Sequence, residues 1–483
     1  MENENFEIKV NTEIGNLRSL LIHSPDSGLG KVVPSKAQDW LFEDIVHLDT
    51  IRRKEYDVYV KVLMYFLDPQ KIKGKLAQIN SEDRRFFIPE HPDFHQSKKI
   101  IELQTLLSDI LYDSDICQKL VAVVCAIEGC TYKLQQELID TSPTELAKVF
   151  ISGAMSNGKM IFAPIPNFIF TRDIGITVND HILLNKPAKK ARSRETLLAR
   201  YIFFNHPLFS NYRSKIIEIP NTVQYFLRPG EEQIEKTTLE GGDVMMVSKG
   251  HIVIGCSERT STSGASEAIK ILFEKGVVEK ATVIKIPHKR DFMHIDTIFT
   301  QVKRNVWAVL ESITAPQHGV KDAILDQLTK KHNKETPEII QFHRNFLESP
   351  IHFECIQDLL KDISENDLGC TEKTRFIYSG NKEFPFDARE QWTDSCNLLA
   401  VKEGVVLGYD RNDHTIASFK NNGFDVICGE DLIEKFEQDE LDPETIKDTL
   451  ILIPSAELSR ARGGFHCMSM PLYREDLPCQ ETN

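Results

Sequence analysis

One pattern of residues occurs four times in the sequence: DIGITVNDHILLN (173–185), DVMMVSKGHIVIG (243–255), DTIFTQVKRNVWAVL (296–310) and NLLAVKEGVVLG (397–408). Each copy begins with a polar residue, runs through apolar residues, turns on a pair such as Asn-Asp or Lys-Gly, and continues into a second apolar run. Apolar runs joined by such turns predict antiparallel hairpins. If the four hairpins surround one axis, their opening polar residues converge on a common centre.

Helical patterns follow three of these hairpins, at residues 192–204, 263–275 and 415–421. The resulting order of two strands, a helix and a further strand predicts an α/β fold made of repeated ββαβ units. Asp173, Asp243 and Asp296 open three of the units with a carboxylate, whereas Asn397 opens the fourth without a charge. We therefore expect polar residues distant in sequence to form one site, and we assign Asn397 no catalytic role.

Two segments interrupt this order. Residues 104–158 have helical periodicity with almost no strand signal, which predicts an inserted helical domain. Residues 315–385 are polar and partly helical, and we expect an additional insertion there. The catalytic α/β domain then comprises residues 1–103 and 159–483. Residues 68–98, charged and rich in proline, are expected to form an irregular surface excursion.

The composition limits the function classes. The chain has 483 residues, 41% of them apolar, and a net charge of −14, so it can bury a large core and a nucleic-acid partner is not expected. No apolar stretch approaches the roughly 20 residues of a membrane span, and the opening MENENFEIKV contains no apolar signal region. We therefore expect a cytoplasmic protein without a membrane partner. The ten cysteines form no CxxC pair, so we expect no zinc ligand set, and in the cytoplasm we expect reduced thiols.

A cysteine near the C-terminus lies in the loop SRARGGFHCMSMP (459–471). The two glycines allow a ligand to approach the backbone closely. The neighbouring arginines and histidine are expected to favour the thiolate, which is the nucleophilic form of cysteine. Cys467 is therefore a candidate nucleophile, although a lone cysteine is more often structural.

His294 and Asp296 lie two residues apart in the segment FMHID (292–296). If the segment is a strand, both side chains point to the same face. A histidine beside a carboxylate can act as a general acid and base. The alternative is a surface strand that carries two polar residues.

Further carboxylates occur in the motifs PNFIFTRD, which contains Phe170 and Asp173, and LEGGDV, which contains Glu240 and Asp243. A carboxylate accepts a pair of N–H groups from a guanidinium, and an aromatic ring can stack on the same cation. A thiolate near the central carbon of that cation can add to it. The motifs together predict covalent catalysis on a small cationic substrate; taken singly, each also fits a turn or a helix cap.

The chain resembles the arginine deiminase family of guanidino-group-modifying enzymes, which have the pentein fold. The resemblance is carried by collinear motifs that cover nearly all of the chain outside residues 68–160 and 315–385. These motifs are EIGNLRSLLIHSP (13–25), WLFEDI (40–45), PNFIFTRD (166–173), ARSRET (191–196), LEGGDV (239–244), GCSERT (255–260), MHIDTIFT (293–300), REQW (389–392), GYDRN (408–412) and SRARGGFHCMSMPL (459–472). Phe465 departs from the family pattern, which has Gly or Pro at this position.

The resemblance implies a fivefold pseudosymmetric α/β propeller of ββαβ units with an inserted helical bundle. It also implies hydrolysis of free L-arginine to L-citrulline and ammonia through a covalent thiouronium on Cys467, without cofactor or metal. By the same resemblance, His294 protonates the leaving ammonia and then activates water, with Glu240 beside it. Asp173 and Asp296 would hold the guanidinium.

The resemblance further implies residues that bind the amino-acid end of the substrate. Arg192 and Arg259, assisted by Asn167, would bind the α-carboxylate, and Asp243 the α-amino group. Arg462 would gate the pocket and Phe170 would line it. Two alternatives remain open at the level of the sequence: an amidinotransferase that uses the same Cys, His and Asp residues, and a non-catalytic arginine sensor on the same fold. We also expect a homo-oligomer, either a dimer or a tetramer.

Overall fold

A computed structural model describes residues 6–36, 39, 44–220, 236–316 and 337–478. Residues 40–43 of the WLFEDI motif and residues 317–336 of the second predicted insertion lie outside this part. The strands of the described part, numbered along the chain, are β1 Leu17–Ile22, β2 Ile100–Glu102, β3 Gly175–Val178, β4 His181–Leu184, β5 Ile216–Ile217, β6 Val244–Ser248, β7 His251–Cys256, β8 Lys280–Lys285, β9 Phe299–Lys303, β10 Val306–Val309, β11 Glu338–His343, β12 Ile351–Phe353, β13 Arg375–Tyr378, β14 Leu399–Lys402, β15 Val405–Tyr409, β16 Asp425–Cys428, β17 Thr449–Ile453 and β18 Met470–Arg474.

These strands form five sheets with one shared pairing scheme. The sheet orders are β18-β1-β2, β3-β4-β5, β12-β11-β8-β7-β6, β13-β10-β9 and β14-β15-β17-β16. In every sheet, one strand of an antiparallel pair also pairs with a parallel strand. For example, β4 is antiparallel to β3 and parallel to β5, and β7 is antiparallel to β6 and parallel to β8. The first sheet joins the two ends of the chain, because β1 pairs with β18. The mixed α/β architecture expected from the sequence is therefore confirmed.

All four predicted hairpins are present as β3–β4, β6–β7, β9–β10 and β14–β15. The turn pairs are the predicted ones, and Asn179 and Gly404 take the positive φ values, 51° and 78°, that such turns require. The opening polar residues precede the strands instead of lying in them. Three of them lie in short 3-10 turns, Thr171–Asp173, Gly241–Asp243 and Ile295–Thr297, that lead into β3, β6 and β9.

Helices cover the sheets and fill the segment between β2 and β3. The α-helices of the described part are Asp57–Leu67, Leu76–Ser81, Leu103–Leu111, Ser114–Glu128, Tyr132–Ile139, Pro143–Ser152, Ser193–Asn205, Thr262–Glu274, Glu311–Thr314, Ile356–Asp362, Phe386–Trp392, Asp413–Asn421 and Gly429–Glu437. The four between residues 103 and 152 share one apolar cluster with helix Ser193–Asn205. Among the described residues, no helix is both long and apolar enough to cross a membrane.

The segment of residues 68–98 is only partly the irregular surface excursion that was expected, because buried side chains anchor it to the core. Its aromatic side chains Phe86 and Phe87 are buried in the same apolar cluster as helix Asp57–Leu67. Arg84 fixes the segment further by donating to both oxygens of Asp57, at 2.7 and 2.8 Å, and to Asp26 at 2.7 Å. The other aspartates, glutamates, lysines and arginines of the segment are exposed or half-buried.

Candidate active site

A pocket opens at the point where the hairpin entries meet the loop before β18. Nine of the eleven residues singled out from the sequence line this pocket. The lining residues are Asn167, Phe170, Asp173, Arg192, Glu240, Arg259, Met293, His294, Thr297, Asp394, Ala461, Arg462, Gly463 and Cys467. The convergence of residues distant in sequence therefore follows from the hairpin entries, as the repeat pattern indicated.

The glycine pair of LEGGDV allows two of the entries to pack together. A side chain on Gly241 would collide with the carbonyl of Arg172, and one on Gly242 would collide with the ring of His294. The backbone of the 3-10 turn Gly241–Asp243 thus lies directly against His294. Only glycine permits this approach, which brings Glu240 to the imidazole.

His294 and Glu240 form a buried pair, with 3.2 Å between Nε2 and Oε2. Burial lowers the pKa of His294, but the charge of Asp173 and the hydrogen bond to Glu240 outweigh it and raise the pKa to about 10. His294 is therefore an imidazolium at neutral pH. The expected strand containing His294 and Asp296 is wrong: Asp296 lies in the 3-10 turn Ile295–Thr297, and the two side chains have different partners.

Arg192 lines the pocket among three buried carboxylates. Its Nη1 lies 2.7 Å from Asp173 Oδ2 and 3.5 Å from Glu240 Oε2, and its Nε lies 2.8 Å from Glu195 Oε2. Glu195 is the third residue after Arg192 in the ARSRET motif and was not predicted as a site residue. The fixed positive charge of Arg192 offsets the cost of burying carboxylates beside the pocket.

Cys467 lines the pocket, and its sulfur contacts one acceptor and one donor. Its Sγ lies 3.4 Å from Asp296 Oδ2 and 3.2 Å from Asn397 Nδ2. Burial and the carboxylates of Asp296 and Asp173 raise the pKa of the thiol well above its ordinary value. The expected stabilisation of the thiolate by neighbouring arginines is therefore wrong for the free enzyme, because carboxylates are the charges that act on the sulfur.

Asp296 is not among the residues that line the pocket, but its carboxylate lies directly beside Cys467. Its Oδ2 lies 2.9 Å from His466 Nδ1, and the other ring nitrogen of His466 lies 3.3 Å from Glu13 Oε2. Glu13 is in turn bound by Arg172. His466 and Glu13 were missed as site residues, although His466 directly precedes Cys467 and Glu13 opens the motif EIGNLRSLLIHSP.

Three carboxylate oxygens and a guanidinium nitrogen in this region have unused hydrogen-bonding capacity. Asp173 Oδ1, Asp296 Oδ1 and Asp394 Oδ2 are buried and accept no hydrogen bond from any described residue. Arg259 Nε is buried and likewise has no acceptor within that part of the chain. Buried polar atoms of this kind are rare in folded proteins and indicate where a polar ligand binds.

Asp243 lies outside the pocket, and the structure does not bring it to a substrate. It is fully buried, where it accepts hydrogen bonds from Ser257 Oγ at 2.6 Å and from the Ile295 backbone at 3.0 Å. Burial raises its pKa to about 7. The position supports a structural role, in which Asp243 fixes the backbone next to His294.

Arg462 closes one side of the pocket on the loop that carries Cys467. It has a positive φ of 61°, and its guanidinium lies 3.4 Å from the centre of the Trp392 ring. Phe465 on the same loop points away from the pocket and packs between Tyr59 and Tyr409, with ring centres 4.8 and 4.9 Å away. The unusual residue of this loop therefore anchors it to the core.

Within the described ranges, one group of side chains has the geometry to hold a metal ion, which the sequence spacing did not indicate. The ligand atoms of Asp173, Glu240 and His294 all lie within 4.8 Å of one another. The guanidinium of Arg192 already pairs with Asp173, and the imidazolium of His294 with Glu240. These two cations oppose the binding of a third.

Comparison with known proteins gives a consistent result. The family model described as arginine deiminase matches residues 118–474. An arginine deiminase from Bacillus cytotoxicus is 30% identical over 97% of this chain and 99% of its own length. One from Borreliella afzelii is 29% identical over 97% and 98%.

Solved structures with some likeness include SxtG, an amidinotransferase from Microseira wollei, at a TM-score of 0.44 and 10% identity over 97% of this chain and 98% of its own. Another is DDAH from Pseudomonas aeruginosa, at a TM-score of 0.35 and 15% identity over 63% and 76%.

Proposed function

Because the chain belongs to the arginine deiminase family, we propose that it hydrolyses free L-arginine to L-citrulline and ammonia. The observation that carries the proposal is the pair of buried carboxylate oxygens, Asp173 Oδ1 and Asp296 Oδ1, that accept no hydrogen bond from the described residues. A guanidinium donates pairs of N–H groups in one plane, so it can satisfy both. Its central carbon then faces the sulfur of Cys467.

The positive charge of the substrate also activates the nucleophile. In the free enzyme, the carboxylates of Asp296 and Asp173 hold the pKa of the Cys467 thiol high. A bound guanidinium neutralises these carboxylates and places a cation next to the sulfur, which lowers the pKa of the thiol. A cationic substrate therefore favours formation of the thiolate.

The reaction proceeds through two additions to the guanidinium carbon. The thiolate of Cys467 forms a C–S bond, and the electron pair of one C=N bond moves to nitrogen. His294 then donates its proton to an amino nitrogen, the C–N bond breaks, and ammonia leaves a cationic thiouronium. Neutral His294 takes a proton from water, and the hydroxide oxygen binds the same carbon. The C–S bond breaks, the thiolate reforms, and loss of a proton from the product oxygen gives citrulline.

The amino-acid end of the substrate faces the other cations of the pocket. We propose that Arg259, whose Nε is buried without an acceptor among the described residues, binds the α-carboxylate with Asn167. Arg192 is engaged with Asp173 and Glu195, so it contributes to α-carboxylate binding only if its contact with Asp173 loosens. Arg462 shields the pocket, and Phe170 lines it.

We further propose that the five sheets are the blades of a fivefold α/β propeller. The shared order of an antiparallel pair followed by a parallel strand supports this arrangement. Residues 104–158 as an inserted helical domain and residues 315–385 as a second insertion remain predictions. The cytoplasmic location and the homo-oligomeric state, dimer or tetramer, also remain predictions, which cell fractionation and light scattering test.

Product analysis tests the activity. Purified protein with L-arginine alone, in the presence of EDTA, should yield equal amounts of citrulline and ammonia. Cys467→Ala should yield neither, whereas Cys428→Ala, at an exposed cysteine, should match the parent. An amidinotransferase would form product only after addition of an acceptor amine, and a sensor would bind arginine without turnover. Either result would overturn the proposal.

A further inference from the structure

The side chain of Asn397 contacts the sulfur of Cys467 and both neighbouring backbones. Its Nδ2 lies 3.2 Å from Cys467 Sγ and 3.3 Å from the carbonyl oxygen of Asp296. Its Oδ1 accepts a hydrogen bond from the Cys467 backbone at 3.1 Å. Asn397 is buried, with 1% of its surface exposed. The residue opens the fourth repeat, where the other three repeats have a carboxylate.

These contacts determine how the amide is oriented. The backbone N–H of Cys467 can only donate, so the atom facing it must be the carbonyl oxygen of Asn397. The carbonyl of Asp296 can only accept, so the atom facing it must be the amide nitrogen. One N–H of that nitrogen binds Asp296, and the second is left for the sulfur. The amide therefore presents a fixed N–H donor to Sγ.

We propose that Asn397 is a catalytic residue that stabilises the thiolate of Cys467 by this hydrogen bond and holds the sulfur in position for attack. A neutral donor gains strength when its acceptor becomes an anion. The bond is therefore stronger to the thiolate than to the thiol, and it favours formation of the nucleophile. The proposal rests on the proposed role of Cys467 as the nucleophile.

The surroundings of Cys467 show why such a donor matters. The titratable groups that act on its sulfur are the carboxylates of Asp296, Asp173 and Asp394, and all three raise the pKa of the thiol. The phenol of Tyr409 also interacts with the thiol. Among the largest contributions to the pKa of the thiol, the hydrogen bond from Asn397 is the one that lowers it. A carboxylate at this fourth repeat position would place a further negative charge beside the sulfur and raise the pKa of the thiol still more.

The test uses Asn397→Asp and Asn397→Ala in the full chain, with Asn412→Asp as the matched control. Asp at position 397 keeps the acceptor for the Cys467 backbone but loses the donor to sulfur. Asn412 is also buried, donates to the carbonyl of Thr393 at 3.1 Å and anchors the same segment, but it does not touch Cys467. Loss of a hydrogen bond to an anion predicts a decrease in kcat of about ten- to hundredfold in both Asn397 variants, with KM within about threefold.

A second measurement separates a chemical role from a structural one. The rate of Cys467 alkylation by iodoacetamide, a small neutral reagent, is measured at a fixed alkaline pH by peptide mass spectrometry, with exposed Cys428 as the internal reference. Because the pKa of the thiol lies well above its ordinary value, the rate is proportional to the small thiolate fraction. It should fall about tenfold or more in both Asn397 variants, and further in Asn397→Asp, but stay at the parent value in Asn412→Asp.

Parent-like kcat and an unchanged alkylation rate in Asn397→Asp would overturn the inference. Equal effects in Asn412→Asp would also overturn it, because they would show that Asn397 only anchors the segment. If Cys467→Ala retained turnover, the proposed function itself would fail. An inactive Cys467→Ala together with a normal Asn397→Asp would reject only the role of Asn397.

Discussion

Replacement of Glu240 by glutamine should move the alkaline limb of the pH profile towards neutrality. The pKa of His294 is about 10, compared with 6.5 for an ordinary imidazole, and the carboxylates of Asp173, Glu240 and Asp243 maintain this elevation against the effect of burial. Glutamine keeps the size of the side chain but removes one of the three charges. A third to a half of the elevation should then be lost.

The size of the expected pKa shift follows from the part of the elevation that the charge of Glu240 maintains. The pKa of His294 should fall by about 1 to 2, equivalent to about 1.4 to 2.8 kcal/mol of lost stabilisation of the imidazolium. The sign is fixed by the protonation state that the reaction uses. His294 donates a proton to the departing ammonia, so activity is present below its pKa and is lost as the pH rises through it. The limb near pH 10 should therefore move to about pH 8 to 9 in the variant.

The assay is kcat/KM for citrulline formation between pH 5 and 11, which reports the ionisation of the free enzyme. Glu195→Gln is the matched control, because Glu195 belongs to the same buried cluster but pairs with Arg192 instead of His294. An alkaline limb that stays in place in Glu240→Gln, or moves equally in Glu195→Gln, would refute the account of how His294 is kept protonated.

Other substitutions test the pocket and the fold. Arg259→Met should lower kcat/KM for arginine about ten- to hundredfold. Agmatine has no carboxylate, so its kcat/KM should fall less than threefold; equal losses for both substrates would exclude contact between Arg259 and the α-carboxylate. Trp392→Ala removes the ring beneath Arg462 and should raise KM for arginine about two- to fivefold in steady-state kinetics, and an unchanged KM would argue against a shielding role. Arg84→Leu leaves Asp57 buried without its partner, so urea unfolding should show a loss of about 3 to 5 kcal/mol; a loss below about 1 kcal/mol would contradict the buried pair.

The hairpins and most of the pocket could be predicted because their signals are local. Turn pairs such as Asn179-Asp180 and Glu403-Gly404, set between apolar runs, specify a hairpin whatever surrounds them. The sheet that joins β18 to β1 and β2 has no such signal, since its strands pair across most of the chain. The burial of Phe86 and Phe87 was also missed, because charged and proline-rich neighbours conceal a core contact.

Two of the site residues that were missed, Asn397 and Glu13, act through partners distant in sequence. Asn397 contacts Cys467 from 70 positions away, and Glu13 reaches Asp296 through His466. Sequence patterns identify residue types that suit a reaction, but they do not show which carboxylate faces the substrate. Asp243 and Asp173 open equivalent repeats, yet only Asp173 lines the pocket. The difference arises from packing, since Ser257 and the Ile295 backbone occupy both oxygens of Asp243.

The proposed mechanism depends on a covalent bond between Cys467 and the guanidinium carbon of arginine. Rapid acid quenching of enzyme with arginine labelled with ¹⁴C at the guanidinium carbon, followed by peptide mapping, detects this bond. We expect label on the peptide that contains Cys467, with a mass increase equal to arginine minus ammonia, and no label in Cys467→Ala. Citrulline formation without labelled enzyme at any quench time, or label on a different residue, would contradict this mechanism.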